Sequence, residues 1–452
     1  MLIRFALVLI FTFALSHATV GPVVAKTGGA ATLQTQNSIS QRGNVWIWNR
    51  NENGNSLEMT VRGEVEFNDD YTEVRRVTDG GSIEIRETRG GVRRRLEIEA
   101  GPGGGLSVSY IVNGQNRPYD AEAKAWFAKV LDEAVTESGL NARPRAQKIL
   151  KERGTGGLLD EISRFKSDHV KNLYFQELLK SGSLDARAAI RAIGIASREM
   201  SSDHYKAQVL AGLPEQVMRD EAARVAFLQA AGTIRSDHYR AQILLAGLKS
   251  GNPSKEVLML ALNGVGGISS DHYKTQVLLK AAESNFEDGI RTAYLESAAT
   301  IGSDHYRAQA LSTVLKRGDV SKESLRSVLK AASGISSDHY KSQVLLDVSQ
   351  SSIDDDASRS AYVETAATIG SDHYRAQALS ALLSKSANSK EVLLVALKAT
   401  AGISSDYYKA QTLLKLTRER SDDETIRAAL IEAARTIKSD HERGRVLSAI
   451  FK

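Results

Sequence analysis

Leu57, Met59, Val61, Val65 and Phe67 alternate with Glu58, Thr60, Arg62, Glu64 and Glu66. A period of two predicts a strand with one dry face and one wet face. Similar stretches at Ser82–Glu87, Val92–Ala100 and Leu106–Val112 predict further strands, with an earlier one around Val45–Trp48. Asn53-Gly54, Gly80-Gly81, Gly90-Gly91 and Asn113-Gly114 supply residues tolerant of positive φ between or after them. The pattern therefore predicts a small antiparallel β-meander over residues 44–117. Its outer face would carry Arg93, Arg95, Glu97 and Glu99, whose opposite charges can pair across strands. The run Arg93-Arg94-Arg95 is interleaved with acids, so a solvated sheet face is expected in preference to an anion site. From Asp120 the period becomes helical. Ala123, Trp126, Phe127, Val130 and Leu131 form a stripe able to cover the sheet's apolar face, with Trp126 expected to pack there. A second helix near Pro144–Glu152 completes a helical connector over residues 118–155.

The remainder, residues 156–452, is governed by self-similarity. Ser-Asp recurs at 167-168, 202-203, 236-237, 270-271, 303-304, 337-338, 371-372, 405-406 and 439-440, at spacings of 35, 34, 34, 33, 34, 34, 34 and 34. Such regularity marks a stacked array, in which each unit buries its apolar face against its neighbours. Each unit holds two apolar-periodic stretches of about three turns, such as Lys255–Val265 and His272–Ala282, which predicts one helical hairpin per repeat. The fold class expected is α+β: a β-meander domain followed by an all-α, right-handed-type α-solenoid of about nine 34-residue hairpins.

A longer period lies over the first. The residue three past each Asp runs Lys206, Arg240, Lys274, Arg307, Lys341, Arg375, Lys409, Arg443. In step with it, Gly-Ile-Ser-Ser-Asp at 267–271, 334–338 and 402–406 trades places with Thr-Ile-x-Ser-Asp at 233–237, 300–304, 368–372 and 436–440. The duplicated unit is thus two hairpins. Residues 299–312 and 367–380 are identical.

Composition narrows the reading. The chain has 452 residues, 42% of them hydrophobic and 25% charged, which fits neither a disordered polymer nor a polytopic membrane protein. A net charge of +5, from 59 basic and 54 acidic residues, is spread along the chain and forms no nucleic-acid-type basic block. The absence of cysteine excludes a disulfide framework, thiolate metal sites and a Cys nucleophile. At the start, Arg4, an apolar run from Phe5 to Leu15 and Ser16-His17-Ala18 read as a secretory signal peptide over residues 1–18. The run is too short for a retained membrane anchor. Residues 19–43 read as a flexible leader. The mature chain is therefore expected outside the cytoplasm, periplasmic or secreted, with no stable membrane insertion.

The array resembles the α-solenoids of the tetratricopeptide and HEAT class in period and hairpin content. The tetratricopeptide pattern of Trp, Leu-Gly and Tyr at set positions is absent. With its sheet, its Arg-Pro-Tyr-Asp at 117–120 and its Ser-Asp repeats, the region from about Gly63 onward is also similar to exported portions of uncharacterised bacterial proteins, some fused to BlaR1-like membrane peptidases. No His-Glu-x-x-His occurs, so that resemblance carries over no peptidase activity.

Within the signature, Ser is placed to cap a helix, and Asp follows at the positive end of the helix dipole. Asp203 and Lys206, three apart, are expected to pair. Helical spacing puts Tyr205 and Val209 on one face, and His204 and Gln208 on another. Stacking would then align two rows: an aromatic one, and a His/Gln one comprising His204, Gln208, His238, Gln242, His272, Gln276, His305, Gln309, His339, Gln343, His373 and Gln377. The favoured reading is an inter-repeat hydrogen-bond ladder, in which His or Gln satisfies buried backbone or Asp groups on the next hairpin. A solvent-facing recognition ridge for a peptide, glycan or protein is the alternative. Histidines about 9 Å apart, the packing distance of adjacent helices, cannot share one ion, so no metal or other cofactor is expected. Consecutive Ser-Asp-His residues fan apart by about 100° each on a helix, so they make no hydrolytic triad. An RNA code needs residues that vary between repeats, and here they barely vary.

The function expected is thus an exported, non-catalytic binding or scaffolding protein, monomeric or weakly self-associating, with a protein partner and no nucleic acid. Two alternatives stand: an envelope-modifying enzyme with a site at the sheet–helix junction near Arg117, Tyr119 and Asp120, and a self-assembling structural protein. In the last copy Glu442, Gly444 and Arg445 replace Tyr, Ala and Gln, the polar flank that a solenoid cap requires.

Overall fold

The computed structural model describes residues 36–249, 252–284, 287–318, 320–384, 389–417 and 423–451. The chain divides into two compact units after Val130. The residues read as a signal peptide, and the leader up to residue 35, lie outside the described residues.

In the first unit, strands β1 (Gln36–Arg42), β2 (Val45–Glu52), β3 (Asn55–Arg62), β6 (Ser82–Arg89), β7 (Val92–Ala100), β8 (Leu106–Val112) and β9 (Gln115–Asn116) form one antiparallel sheet, each paired with the next. The tight hairpins at Asn53-Gly54 (φ 51° and 77°) and Asn113-Gly114 (φ 51° and 82°) have the doubly positive φ that matches the twist of the flanking strands. Trp48, Met59, Ile83, Ile85 and Leu96 lie on one face and are fully buried. Helix α1 (Ala121–Glu133) contributes buried Ala123, Phe127 and Val130 to the unit's core. Half-buried Trp126 donates its indole N–H to Glu87 (2.7 Å) and packs on Tyr110, a packing role.

Three expectations change here. The stretch 57–67 is not one strand. Gly63, at φ 66°, ends β3, and Val65–Phe67 becomes β4, pairing with β5 (Val74–Val77) in a separate two-stranded sheet. The end of the supposed leader is strand β1. It is an exposed edge strand held by backbone pairing to β2, so it leaves no alternation of burial for the sequence to reveal. The unit boundary falls after Val130, because the apolar face of α1 belongs with the sheet.

The second unit begins with a π turn at Ala134–Ser138 and helix α2 (Ala142–Arg164). The short helix expected at 144–152 continues past a kink at Gly154, whose φ of 66° no helix interior adopts. Two layers of helices follow. One contains the signature helices α3 (Asp168–Lys180), α5 (Asp203–Ala211), α7 (Asp237–Lys249), α9 (Asp271–Ala281), α11 (Asp304–Lys316), α13 (Asp338–Gln350), α15 (Asp372–Leu383), α17 (Asp406–Leu416) and α19 (Asp440–Ile450). The other contains α4 (Ala186–Glu199), α6 (Glu221–Ala231), α8 (Lys255–Val265), α10 (Asp288–Ala299), α12 (Lys322–Ser333), α14 (Asp356–Ala367), α16 (Lys390–Ala401) and α18 (Glu424–Arg435). Each helix packs against the next member of its own layer, and neighbouring helices pack between layers. A single file of hairpins, each sharing core with its neighbours, is a helical-repeat solenoid.

Between the layers runs a continuous apolar seam. The Val-Leu pair of the signature helices (Val209 and Leu210, Val277 and Leu278, Val344 and Leu345) is buried, as is the Ile that ends each linker from Ile234 to Ile437. Two tyrosines of the second layer carry a polar tip into this seam. Tyr294 donates to the Ala310 carbonyl (3.1 Å) and Tyr362 to that of Ala378 (2.9 Å). Burial pushes both phenols well above their ordinary range. Ionisation therefore favours the unfolded chain, and stability falls as pH rises past about 10, the ordinary tyrosine value. Tyr362→Phe is expected to cost about 1 kcal/mol at neutral pH and to weaken the alkaline loss, as read by denaturant melts at neutral and alkaline pH.

Candidate functional site

The signature builds one surface of the signature layer, and each of its residues has a separate task. Ser is the N-cap, with extended backbone (φ −77°, ψ 116° at Ser202). Its hydroxyl accepts from the amide of the third helical residue at Ser167, Ser202, Ser270, Ser337 and Ser439, at 3.4 to 3.5 Å. That is a long bond, so the cap contributes little on its own.

The Asp does more than favour the helix dipole. Asp203 accepts the backbone N–H groups of Arg235 (2.9 Å) and Ser236 (2.8 Å) in the next repeat. Asp338 does the same to Gly370 (2.9 Å) and Ser371 (2.7 Å), and Asp372 to Ser404 (2.9 Å) and Ser405 (2.7 Å). Asp168, Asp237, Asp271, Asp304 and Asp406 complete the series. Every signature Asp except the last thus clamps the two amides that enter the following signature helix. At Asp406 the amides of Lys438 and Ser439 hold the carboxyl below the usual carboxylate range. The backbone ladder expected of His and Gln is made by Asp, because the carboxylate at the helix start is the group short enough to reach the adjoining linker.

The expected pairing of Asp203 with Lys206 does not form, since the carboxylate is committed to those amides. Lys206 is buried and reaches Thr233 instead, at 3.2 Å to the carbonyl. Lys274, Lys341 and Lys409 reach Thr300, Thr368 and Thr436 in the same way. In the alternate repeats Arg307 donates to the Ile301 carbonyl of its own linker (2.8 Å) and the Gly334 carbonyl of the next (2.8 Å). Arg375 joins Ile369 (2.7 Å) and Gly402 (2.9 Å). A Cβ added at Gly334 would stand 2.8 Å from Arg307 Nη1, and one at Gly267 would fall on the guanidinium of Arg240. Lys meets Thr and Arg meets Gly. This complementarity accounts for the two-hairpin period.

His and Tyr interlock. His204 Nδ1 lies 2.8 Å from the hydroxyl of Tyr239 on the next helix, and His169, His238 and His272 approach Tyr205, Tyr273 and Tyr306 at 3.1 to 3.2 Å. The ring contacts continue through His305–Tyr340, His339–Tyr374 and His373–Tyr408, with centroids 5.3 to 5.5 Å apart. Each of these histidines except His169, which Val170 follows, also leans on the Tyr next to it on its own helix, as His305 does on Tyr306 (5.1 Å). The two rows expected from helical spacing are therefore one alternating His–Tyr row. His204, His238, His272, His305, His339 and His373 are exposed, as are Gln208, Gln242, Gln276, Gln309, Gln343 and Gln377. Gln208 and Gln276 bond the histidine four residues before them, at 3.0 and 3.1 Å. The row thus links successive repeats through His and Tyr while its His and Gln side chains stay exposed. Among the described residues, no group of three or more His, Asp or Glu side chains could hold a metal ion.

The row changes at both ends. His169 is the more enclosed, and burial pushes its imidazole down. At position 407 Tyr stands for His and is 53% exposed. In the ninth copy Arg443 turns onto Asp440, and Arg445 pairs with Glu442 (2.8 Å).

The residues of the alternative site lie in the first unit and serve its architecture. Asp120 caps α1, accepting the amides of Glu122 and Ala123 (both 3.1 Å). Tyr119 packs between Tyr110 and Phe127, and burial, with Glu73 nearby, pushes its phenol up to about 12. Arg117 bonds Gln115 (3.2 Å).

Neither a known protein-family model nor a curated protein matches the chain. Among solved structures, a chain from work titled "Computational Design of Self-Assembling Cyclic Protein Homooligomers" is similar over 61% of this chain and 92% of that one, at 13% identity and a TM-score of 0.12. At that score the likeness carries no argument.

Proposed function

We propose that the protein is an exported, non-catalytic scaffold that recognises a protein partner along the His–Tyr–Gln ridge of its solenoid. One observation carries this reading: the exposed groups of the signature stay constant from repeat to repeat although they are not buried. The interior of the array is constrained by packing, and Asp, Lys and Arg by their bonds to the next linker. Exposed His and Gln make only ring contacts and surface hydrogen bonds, which contribute little to stability. A long, chemically uniform strip of amphipathic rings suits the side of an extended partner, as solenoid surfaces commonly do. An envelope or extracellular partner is part of this proposal, supported by the signal-like pattern of residues 1–18.

The triple variant His305→Ala, His339→Ala, His373→Ala is the test. Each change should cost less than about 1 kcal/mol, leaving the melting temperature nearly unchanged. Crosslinking pull-downs from the native envelope should then lose the partners captured by the natural protein. An unchanged set of partners with the ridge removed would refute the recognition role. A collapse in stability would return these histidines to a structural one.

The two other readings have weaker support. Asp120 and Tyr119 are occupied by capping and packing, which leaves neither of them free to act as acid or base. End-to-end assembly would need Asp440 to receive a further linker, and Arg443 already occupies it.

A further inference from the structure

The outer face of the seven-stranded sheet, opposite Trp48 and Met59, holds a cavity of about 560 Å³. Side chains on two cross-strand rows line it. One row runs Asn49, Glu58, Arg86, Arg95 and the other Asn51, Ser56, Thr88, Arg93, while backbone between the rows forms the floor. Arg94, between Arg93 and Arg95, points to the opposite face, where it lies over Trp126 and near Glu87.

This cluster is poor architecture. Arg86 and Arg95 stand directly opposite one another on neighbouring strands, an arrangement of like charges that destabilises a sheet. Arg86 leans on Glu84 (2.8 Å), and Arg95 on both Glu84 (2.9 Å) and Glu97 (3.2 Å). Arg93, two residues from Arg95 and so roughly 7 Å along the strand, makes no ion pair among the described residues. Glu58 is directly opposite Arg86 and likewise makes no ion pair among the described residues. A solvated face would be expected to settle these charges by pairing Glu58 with Arg86. Instead the cavity presents guanidinium donors, one free carboxylate, two amides and two hydroxyls.

We propose that this cavity binds an acidic sugar, a carbohydrate residue or short chain bearing carboxylates. Arg93 matches its carboxylate by charge and by the forked geometry of the guanidinium, and Arg95 beside it adds positive charge. Glu58 requires hydrogen-bond donors, which sugar hydroxyls provide and a simple inorganic anion does not. Asn49, Asn51, Ser56 and Thr88 can both donate and accept, as recognition of a polyol needs. The volume lies within the range of small-ligand sites. All of its lining residues belong to the first unit.

The test is calorimetric titration of the full mature chain with tetragalacturonate, a neutral tetrasaccharide of galactose, and inorganic phosphate. Tetragalacturonate should bind, and the neutral sugar and phosphate should each bind at least about tenfold more weakly. Arg93→Gln should lower affinity for the uronate about tenfold or more without lowering the melting temperature, because Arg93 makes no ion pair among the described residues. Glu58→Gln should weaken tetragalacturonate and leave any phosphate binding unchanged. Equal binding of phosphate and uronate would overturn the sugar assignment. Equal binding of the neutral sugar would overturn the role of the arginines. Absence of uronate binding by the natural chain would end the proposal, whatever the variants do.

Discussion

Replacing Asp304 by Ala should loosen the array at one interface and divide it into two blocks that unfold separately. The carboxylate accepts the amides of Ser336 (3.1 Å) and Ser337 (2.8 Å), the second of them partly buried. Without it, both amides at the entry to α13 lose their acceptor, and a buried donor left unsatisfied costs about 1–3 kcal/mol. Because each hairpin touches only its neighbours, the loss is felt at that interface and little elsewhere. Hydrogen exchange should accelerate around residues 335–341 while the amides of α7 and α17 stay protected. Uniform acceleration along the chain would mean that the clamp is not a local joint. The same chemistry sets an acid limit. Asp406 has a folded-state pKa below the usual carboxylate range, so its contribution is present above the unfolded value near 3.9 and is lost as pH falls through the lower, folded value. His169, shifted down by burial, contributes in the same direction at milder acidity: stability begins to fall as pH drops below about 6.5.

A second large effect should come from deleting hairpins in and out of register. Removing residues 267–299 places Thr300 where Gly267 stood, so the guanidinium of Arg240 meets a β-branched residue. In the other layer it sets Lys255 beside the Lys322 end of α12, in place of Glu287, its partner at 3.6 Å. Removing residues 267–333 instead restores both matches. Arg240 meets Gly334, and Lys255 meets Asp355, as Lys390 meets Asp423 (3.2 Å). If interfaces were interchangeable, the longer product would be the more stable one. The complementarity predicts the reverse: the product lacking two hairpins should melt higher than the one lacking a single hairpin, by roughly 2–4 °C for each kcal/mol of mismatch. Equal interfaces would show as a melting temperature that simply follows hairpin number.

The architecture was legible where periodicity has a direct physical cause. The spacing of Ser-Asp located the signature helices, since a cap residue followed by an acid marks a helix start, and all nine begin at that Asp. Strand alternation located the sheet wherever one face is buried. It failed for β1, where every residue is exposed, and for β4 and β5, where Gly63 diverts the chain. Within the signature, spacing along one helix showed which residues share a face but not what lies across the interface. Spacing therefore pairs Asp203 with Lys206, whereas the partners of the signature Asp residues are amides 31 to 34 residues away. The alternation of Lys and Arg, in step with Thr and Gly, contained the missing information, because covarying neighbours of that kind are in contact. The sheet cavity depends on which arginines of a charged run lack a partner, a property of side-chain geometry that alternation does not record.

The clamp has a direction. Each signature carboxylate but the last reaches forward to the next linker, and among the described residues none of them reaches back, so the two ends of the stack differ chemically. Lengthening such a stack by duplication is simplest in steps of two hairpins inserted behind an unaltered last copy, whose Arg443 silences the outstanding carboxylate. An array built in this way can change its reach without redesigning either end, and the number of ridge positions offered to a partner becomes a property of gene length alone.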